Sequence, residues 1–324
     1  MLAVGYAWKL PIDISTHGGG IDKLIIWVHL FMAVLFVGWG VYLVYCLVRF
    51  RSRANPEPST ELPKAKASKY CEVAIVIVEA ILLLVFSVPI WASVRGPAGV
   101  PEPDPENRLE VRIVAKQFDW TIHYPGRDGK FGPSDPELIT RDDIIGLDRD
   151  DPDGQDDIIT TNQFHIPVNK DILVHLTSMD VIHSFNLPFL RIKQDIIPGM
   201  AIPVWFKAKM TTDDVRREMT RTYSTRPRKA IMLKNHQAMD DYKSRDGTAI
   251  VPKGDDLNDE SIQALYDAGI VEILAAPSVP TEIACAQLCG LGHYRMRGYL
   301  HIETEEDFDA WLTEQEAELD EESY

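Results

Sequence analysis

Apolar residues run without a formal charge from Leu24 to Val48, and again from Val73 to Ala92, where only Glu79, Ser87 and Pro89 break the pattern. Each run is long enough to cross the hydrocarbon core of a bilayer as a helix rising about 1.5 Å per residue. Trp91 stands at one edge of the second run, where an interfacial anchor belongs. The stretch before the first run, Met1 to Lys23, is mixed in charge, and no small-residue cleavage site follows a short apolar core. A retained span is therefore expected here, not a removed signal peptide. The pattern predicts a membrane hairpin over residues 1–95, with helices at about 24–48 and 73–92.

Beyond a Pro-rich linker at 96–107 the period changes to two. Leu109, Val111 and Ile113 alternate with polar residues, as do Ile172, Val174 and Leu176, then Ile202, Val204 and Phe206, then Leu300 and Ile302. These are half-buried strands, and the Gly and Pro punctuation between them predicts an antiparallel all-β sandwich or barrel over 108–324. Thr304 with Asp307 marks a helix start, and Phe308, Trp311 and Leu312 share one face of a C-terminal helix. The segment 211–275 is too polar for a strand and is read as an insertion with a helix near Asp259 to Ala268. Eight aspartates between Arg141 and Ile158 predict an exposed acidic loop, since Asp151-Pro-Asp-Gly lacks the full oxygen-ligand spacing of a calcium loop.

Charge sets the orientation. The loop at 49–70 carries Arg49, Arg51, Arg53, Lys64, Lys66 and Lys69 against Glu57 and Glu61, which keeps it cytoplasmic and places both termini outside. The chain has 33 Lys and Arg against 49 Asp and Glu; the first 95 residues hold nine bases and six acids, which leaves 24 against 43 from Gly96 onward. An outer portion this acidic excludes a nucleic-acid partner and favours encounter with a basic protein.

Chemistry is concentrated in Cys285-Ala-Gln-Leu-Cys289-Gly-Leu-Gly-His293-Tyr-Arg-Met296. Two thiols, an imidazole and a thioether form a soft-metal set that favours copper, because a structural zinc site uses Cys and His and leaves Met out. Gly290 and Gly292 free the backbone to turn both sulfurs towards one point, where they can bridge two metal ions. His293 and Met296 then supply terminal ligands, and His183 is the best placed second imidazole. A Cys285–Cys289 disulfide is the competing reading. Cys46 and Cys71 lie in or beside the apolar runs and need no chemical role. No Cys-x-x-Cys-His occurs, so no covalent haem is expected.

With these residues in view the chain resembles cytochrome c oxidase subunit II. The family's Cys-x-Glu-x-Cys-Gly-x-x-His-x-x-Met loop is matched from Cys285 to Met296 except at Gln287, its Asp-Val-x-His-Ser-Phe motif is Asp180 to Phe185, and its Lys-x-Asp-x-x-Pro-Gly motif is Lys193 to Gly199. The aromatic strand is Gln117-Phe118-Asp119-Trp120, with Tyr124 beyond it. The resemblance implies a cupredoxin-like Greek-key barrel holding a dinuclear copper centre: Cys285 and Cys289 bridging, His183 and His293 capping, Met296 and the Gln287 main-chain carbonyl axial. It implies a c-type cytochrome docking at acids such as Asp180, and electrons passing on to haem in subunit I, with subunit III alongside. Phe118 replaces the family's docking-face Trp and leaves Trp120 as the nearby indole for electron input. Gln287 puts the family's magnesium site in doubt, because a neutral amide is a poorer ligand for a hard cation. Tyr-Pro-Gly and Asp-Gly-Lys-Phe-Gly after the aromatic strand resemble bacterial forms found beside alternative complex III, whose cytochrome domain is then a candidate donor.

By the same resemblance Glu72 is the carboxylate that admits protons to a channel of subunit I, and the protein belongs in the bacterial inner membrane. Glu79, two helical turns further on the same face, stands where the family commonly has Pro. A quinol oxidase subunit would lack the copper ligands, a copper-delivery protein would need open ligands, and a zinc-stapled anchor would have no use for Met296.

Overall fold

The computed structural model describes residues 10–51, 53, 66–95, 107–140, 143–227 and 230–322. The expected linker 96–107 lies outside the described residues except for Asn107, as does the middle of the expected loop 49–70. The chain divides into a helical unit, His17–Val100, and a β-rich unit made of the first 16 residues and Pro101 onward.

In the helical unit α1 spans Gly18–Arg49, starting before the apolar run because Gly18 to Lys23 continue the same helix. The second span is α2 (Lys66–Ile81), a π turn at Leu82–Ser87 and α3 (Val88–Arg95). Pro89 explains the π turn. In an α-helix its ring would collide with the carbonyl four residues back, and the widened turn removes that collision, with the Val88 N–H bonding the Leu83 carbonyl. The spans at Gly18–Arg49 and Ser68–Ser93 bury none of their apolar window within the unit, so their side chains call for lipid or another chain.

The strands of the β-unit run in chain order β1 (Arg108–Lys116), β2 (Asp119–Tyr124), β3 (Ile158–Thr161), β4 (Gln163–Pro167), β5 (Asp171–Ser178), β6 (His183–Leu187), β7 (Ile192–Ile196) and β8 (Ile202–Lys207). After an inserted region come β14 (Glu282–Cys285) and β15 (Arg297–Glu303). They form two five-stranded sheets, ordered β3-β2-β1-β5-β8 and β4-β15-β14-β6-β7. The inner faces carry the alternating residues picked out by period: Val111, Ile113, Ile172, Val174, Leu176, Phe206, Leu300 and Ile302 are all buried in one core with Trp120, Tyr124 and Phe185. The expectation of an antiparallel sandwich needs correction, because β1 pairs with β5 and β15 with β4 in parallel. A period of two carries no information about strand direction.

Residues 10–16 belong to the β-unit and not to the hairpin unit. Ile14 is fully buried, its N–H bonds the Phe189 carbonyl at 3.0 Å, and Ser15 bridges Ala208 in antiparallel register. The chain is thus stitched to the β-unit just before α1 begins.

The insertion contains more structure than its polarity suggested. It opens with α4 (Thr212–Met219), capped reciprocally by Thr211 and Asp214, and continues through β9 (Arg221–Ser224), β10 (His236–Ala238), β11 (Tyr242–Lys243), β12 (Ala249–Val251), α5 (Asp259–Asp267) and β13 (Glu272–Pro277). Leu233, Val251, Leu257, Ile262, Leu265 and Ile273 form its own small core. The acidic loop is also corrected: Ile144, Leu147 and Asp157 are buried, and Asp157 accepts from His123 Nε2 at 2.6 Å with both side chains fully covered.

The C-terminal helix α6 (Glu305–Glu322) starts at the Thr304 cap and docks through Trp311, which stacks on His165 at 4.3 Å. On its other face His165 stacks on His301, also at 4.3 Å. Burial and the neighbouring His165 lower the His301 pKa from 6.5 to about 4, against the pull of Glu303, with Arg216 adding to the lowering. His301 therefore stays neutral in the folded protein while the unfolded chain takes up a proton, so its contribution is complete above pH 6.5 and is lost as pH falls towards 4. The unfolding free energy from urea titrations should drop by roughly 1–3 kcal/mol across that window, and His301→Gln should remove that part of the slope.

Candidate metal centre

Two short connections meet at one end of the second sheet. The first is the turn from β5 to β6, which presents His183. Ser178 Oγ donates to the Val181 carbonyl at 2.5 Å, and Asp180 closes the turn. One Asp180 oxygen accepts from the Val181 N–H at 2.6 Å and from His183 Nε2 at 2.8 Å, and the other accepts from the Gln117 N–H at 2.7 Å. With Nε2 held in this way, Nδ1 of the fully buried His183 faces Cys285 Sγ at 3.9 Å. The ring lies edge-on to Trp120, with centroids 6.4 Å apart.

The second connection is the loop between β14 and β15. Its ends are tied by the Cys285 N–H to the Met296 carbonyl and the Ala286 N–H to the Ser184 carbonyl, and a short turn at His293–Arg295 brings the imidazole back over the sulfurs. The two glycines do more than loosen the chain. Gly290 sits at φ +132°, and a Cβ on Gly292 would lie 2.4 Å from the Phe118 ring, so the loop closes on Phe118 only because both lack side chains. Gln117 Nε2 donates to the Cys289 carbonyl at 2.5 Å from the same side.

The result is a convergent donor set. The two Sγ atoms are 3.7 Å apart and both cysteines are free, which sets aside the disulfide reading. Cys289 Sγ lies 3.5 Å from His293 Nδ1 and 3.7 Å from Met296 Sδ, while Cys285 Sγ lies 3.2 Å from the Gln287 carbonyl. The ligand atoms of His183, Cys285 and Cys289 all lie within 4.8 Å of one another. Although burial opposes it, hydrogen bonds from His183, the backbone near Gln287 and Ser184, and His293 bring the Cys285 thiol down to about 6; burial and then the Cys285 sulfur push Cys289 up to about 12. The second sulfur so close by opposes ionising both thiols together, and the hydrogen bonds favour Cys285 as the ionised one. A site that stabilises a thiolate among soft donors suits a thiophilic metal.

The candidate ligands singled out by sequence therefore come together, and four other candidates, Trp120, Phe118, Asp180 and Glu72, each have surroundings of their own. Trp120 is fully buried behind His183 and edge-on to Phe185, whereas half-buried Phe118 lies against the loop with the Arg295 guanidinium 5.8 Å over its ring. Asp180 spends one carboxylate oxygen on the His183 turn and the other on the Gln117 N–H, a positioning task that the docking assignment did not foresee. Glu72 lies in the helical unit, where it accepts from Ser68 Oγ at 3.0 Å. Gln117 was read only as part of the aromatic motif; its bond to Cys289 spans 172 positions and leaves no local trace in the sequence. The Gln287 side chain is exposed.

Residues 109–212 match the family described as cytochrome C oxidase subunit II, periplasmic domain. Residues 109–212 are thus similar to a cytochrome c oxidase subunit II periplasmic domain. The chain is 26% identical over 309 residues to the alternative cytochrome c oxidase subunit 2 of Bradyrhizobium diazoefficiens, covering 95% of this chain and 84% of that protein. It is 30% identical over 173 residues to the probable cytochrome c oxidase subunit 2 of Rickettsia bellii, covering 53% of this chain and 57% of that one. With the other cytochrome c oxidase subunit 2 relatives the match spans between 49% and 62% of their length. Among solved structures the periplasmic domain of subunit II of cytochrome oxidase from Bradyrhizobium japonicum is 22% identical, with 68% of this chain and 99% of that one covered at a TM-score of 0.34. Two apolar helices joined to a subunit II domain fit a membrane-anchored subunit.

Proposed function

We propose that this chain is the electron-accepting subunit II of a haem-copper oxidase, and that Cys285 to Met296 together with His183 hold two copper ions. The observation that carries the proposal is the convergence of two free thiols, two imidazole Nδ1 atoms, a thioether and a carbonyl at one end of a sheet within a subunit II domain. Cys285, Cys289, His183 and His293 would hold the copper as its strong thiolate and imidazole donors, and Met296 and the Gln287 carbonyl would add weaker ones. Copper held there would supply one-electron redox chemistry with the charge change shared between two metals.

The chain's own residues would keep that centre rigid and dry. Asp180 fixes the His183 tautomer by taking its Nε2–H, as partners outside the ligand shell do at metal sites. Trp120 and Phe185 seal the side facing the core, and Gly292 lets Phe118 close the other. Phe118, half-buried at the loop, is the better placed aromatic for electron input, and Trp120 lies on the path inward. The exposed, uncharged Gln287 amide would make a weak magnesium ligand, which keeps a magnesium site there in doubt.

Anchoring of residues 10–16 on the β-unit supports an even number of crossings, with both hairpin ends on the outer, periplasmic face and the loop at 49–70 in the cytoplasm of a bacterial inner membrane. Electrons would come from a c-type cytochrome, or the cytochrome domain of alternative complex III, and pass to haem in subunit I for oxygen reduction coupled to proton translocation. Subunit III would complete the assembly, and Glu72 would take up protons for subunit I. The excess of acidic residues from Gly96 onward favours a basic donor face. Stopped-flow mixing of the copper-loaded full chain with a reduced basic cytochrome c should show transfer that slows by about tenfold or more between about 10 and 200 mM salt. Transfer indifferent to salt, or none at all, would count against the proposal.

A further inference from the structure

The first sheet turns its other face to a cleft of about 510 Å³, lined from β1, β2, β5 and the segment after β2. Three donor-bearing side chains stand in one row across its strands, because Arg112 is the register partner of His123 on β2 and of His175 on β5. All three line the cleft. Phe131 lies beneath the guanidinium, its ring centroid 4.0 Å from the Arg112 carbon, so one face of the cation is held against an aromatic surface.

The neighbouring carboxylates have partners of their own, except for Asp157 Oδ1, which is buried without one. Glu110 pairs with Arg108 and stands 3.8 Å from His175, while Asp157 takes His123 Nε2 at 2.6 Å and the Gly132 N–H at 2.9 Å. Among the described residues no oxygen accepts a hydrogen bond from Arg112, although its guanidinium carries five N–H donors in a planar fork. Around it Val114, Ile144 and Met179 make apolar walls. A concave, largely apolar site with one unsatisfied fork of donors is the usual form of a small-molecule site.

We infer that this cleft binds a small monocarboxylate with an apolar body, its carboxylate taken in bidentate fashion by Arg112 and its body lying against Val114, Ile144 and Met179. A carboxylate matches the planar fork, and a single negative charge is tolerated beside Glu110 and Asp157 where the double charge of a phosphate monoester would be repelled. The site is separate from the copper ligands, although Ser178 on its wall also organises the turn before His183.

Calorimetry on the full-length chain in lipid nanodiscs, with empty discs subtracted, tests this using phenylbutyrate as the acid and phenylbutanol as its neutral counterpart. The acid should bind saturably at one site per chain, at least about tenfold tighter than the alcohol, and Arg112→Gln should weaken it by a similar factor. Ala201→Trp, which fills the cleft from its rim and leaves Arg112 in place, should abolish binding even if Arg112→Gln folds poorly. Absence of saturable binding, equal affinity for acid and alcohol, or an unchanged affinity in the Ala201→Trp chain would each overturn the assignment.

Discussion

Cys285→Ser is expected to take up at most one copper per chain and the native sequence two, with no recovery of the variant on adding metal. Cys285 Sγ faces His183 Nδ1, the Gln287 carbonyl and the Cys289 sulfur at once, so it is the atom common to both halves of the donor set. It is also the sulfur that ionises first, at about 6, because hydrogen bonds from His183 and the loop outweigh the opposing effect of burial. A serine hydroxyl in that position stays protonated at neutral pH and is too hard to bridge soft metals. Metal analysis after desalting measures the stoichiometry, and far-ultraviolet dichroism checks that the sheets persist. Two coppers retained in the serine chain would mean that Cys285 does not bridge.

Asp157→Ala should be the most damaging single change for stability outside the metal loop, at about 2–5 kcal/mol, the cost of leaving two buried donors without an acceptor. The carboxylate and His123 are both fully covered, and the same oxygen also accepts the Gly132 N–H, so alanine strands two buried donors without an acceptor. Asp157→Asn keeps the shape and one acceptor oxygen and should cost markedly less. Denaturant midpoints for the three chains decide the point; equal losses for Ala and Asn would show that the pair contributes through its charge alone.

That residue also marks where the sequence stopped being legible. Eight aspartates in eighteen positions read as a solvated loop because charge counts register composition, and Asp157, the buried one among those described, is distinguished only by its partner on a strand 34 positions away. The two spans could be read because a bilayer demands an unbroken apolar run, and the strands because a half-buried sheet demands alternation. Strand direction could not, since parallel and antiparallel pairs share the same period, and the parallel pairing of β1 with β5 came only from the structure. The core of the insertion escaped for a related reason: Leu233, Val251, Leu257 and Ile273 are single apolar residues scattered through polar sequence, and only folding brings them together.

The metal loop was the most legible part because five of its features lie within twelve consecutive residues. His183 could be assigned through its resemblance to a motif, and the structure supplies the reason for the Asp preceding it: Asp180 holds the imidazole. The need for Gly292 is visible only once Phe118 is seen packed against it.

Electron paramagnetic resonance combined with copper analysis of the reconstituted full-length chain tests the central claim most directly. The account predicts two coppers per chain and, in the oxidised state, one unpaired electron whose hyperfine structure reports equal sharing over both nuclei. A single copper with hyperfine structure from one nucleus, or zinc with no signal, would contradict it and leave the loop as a mononuclear or structural site.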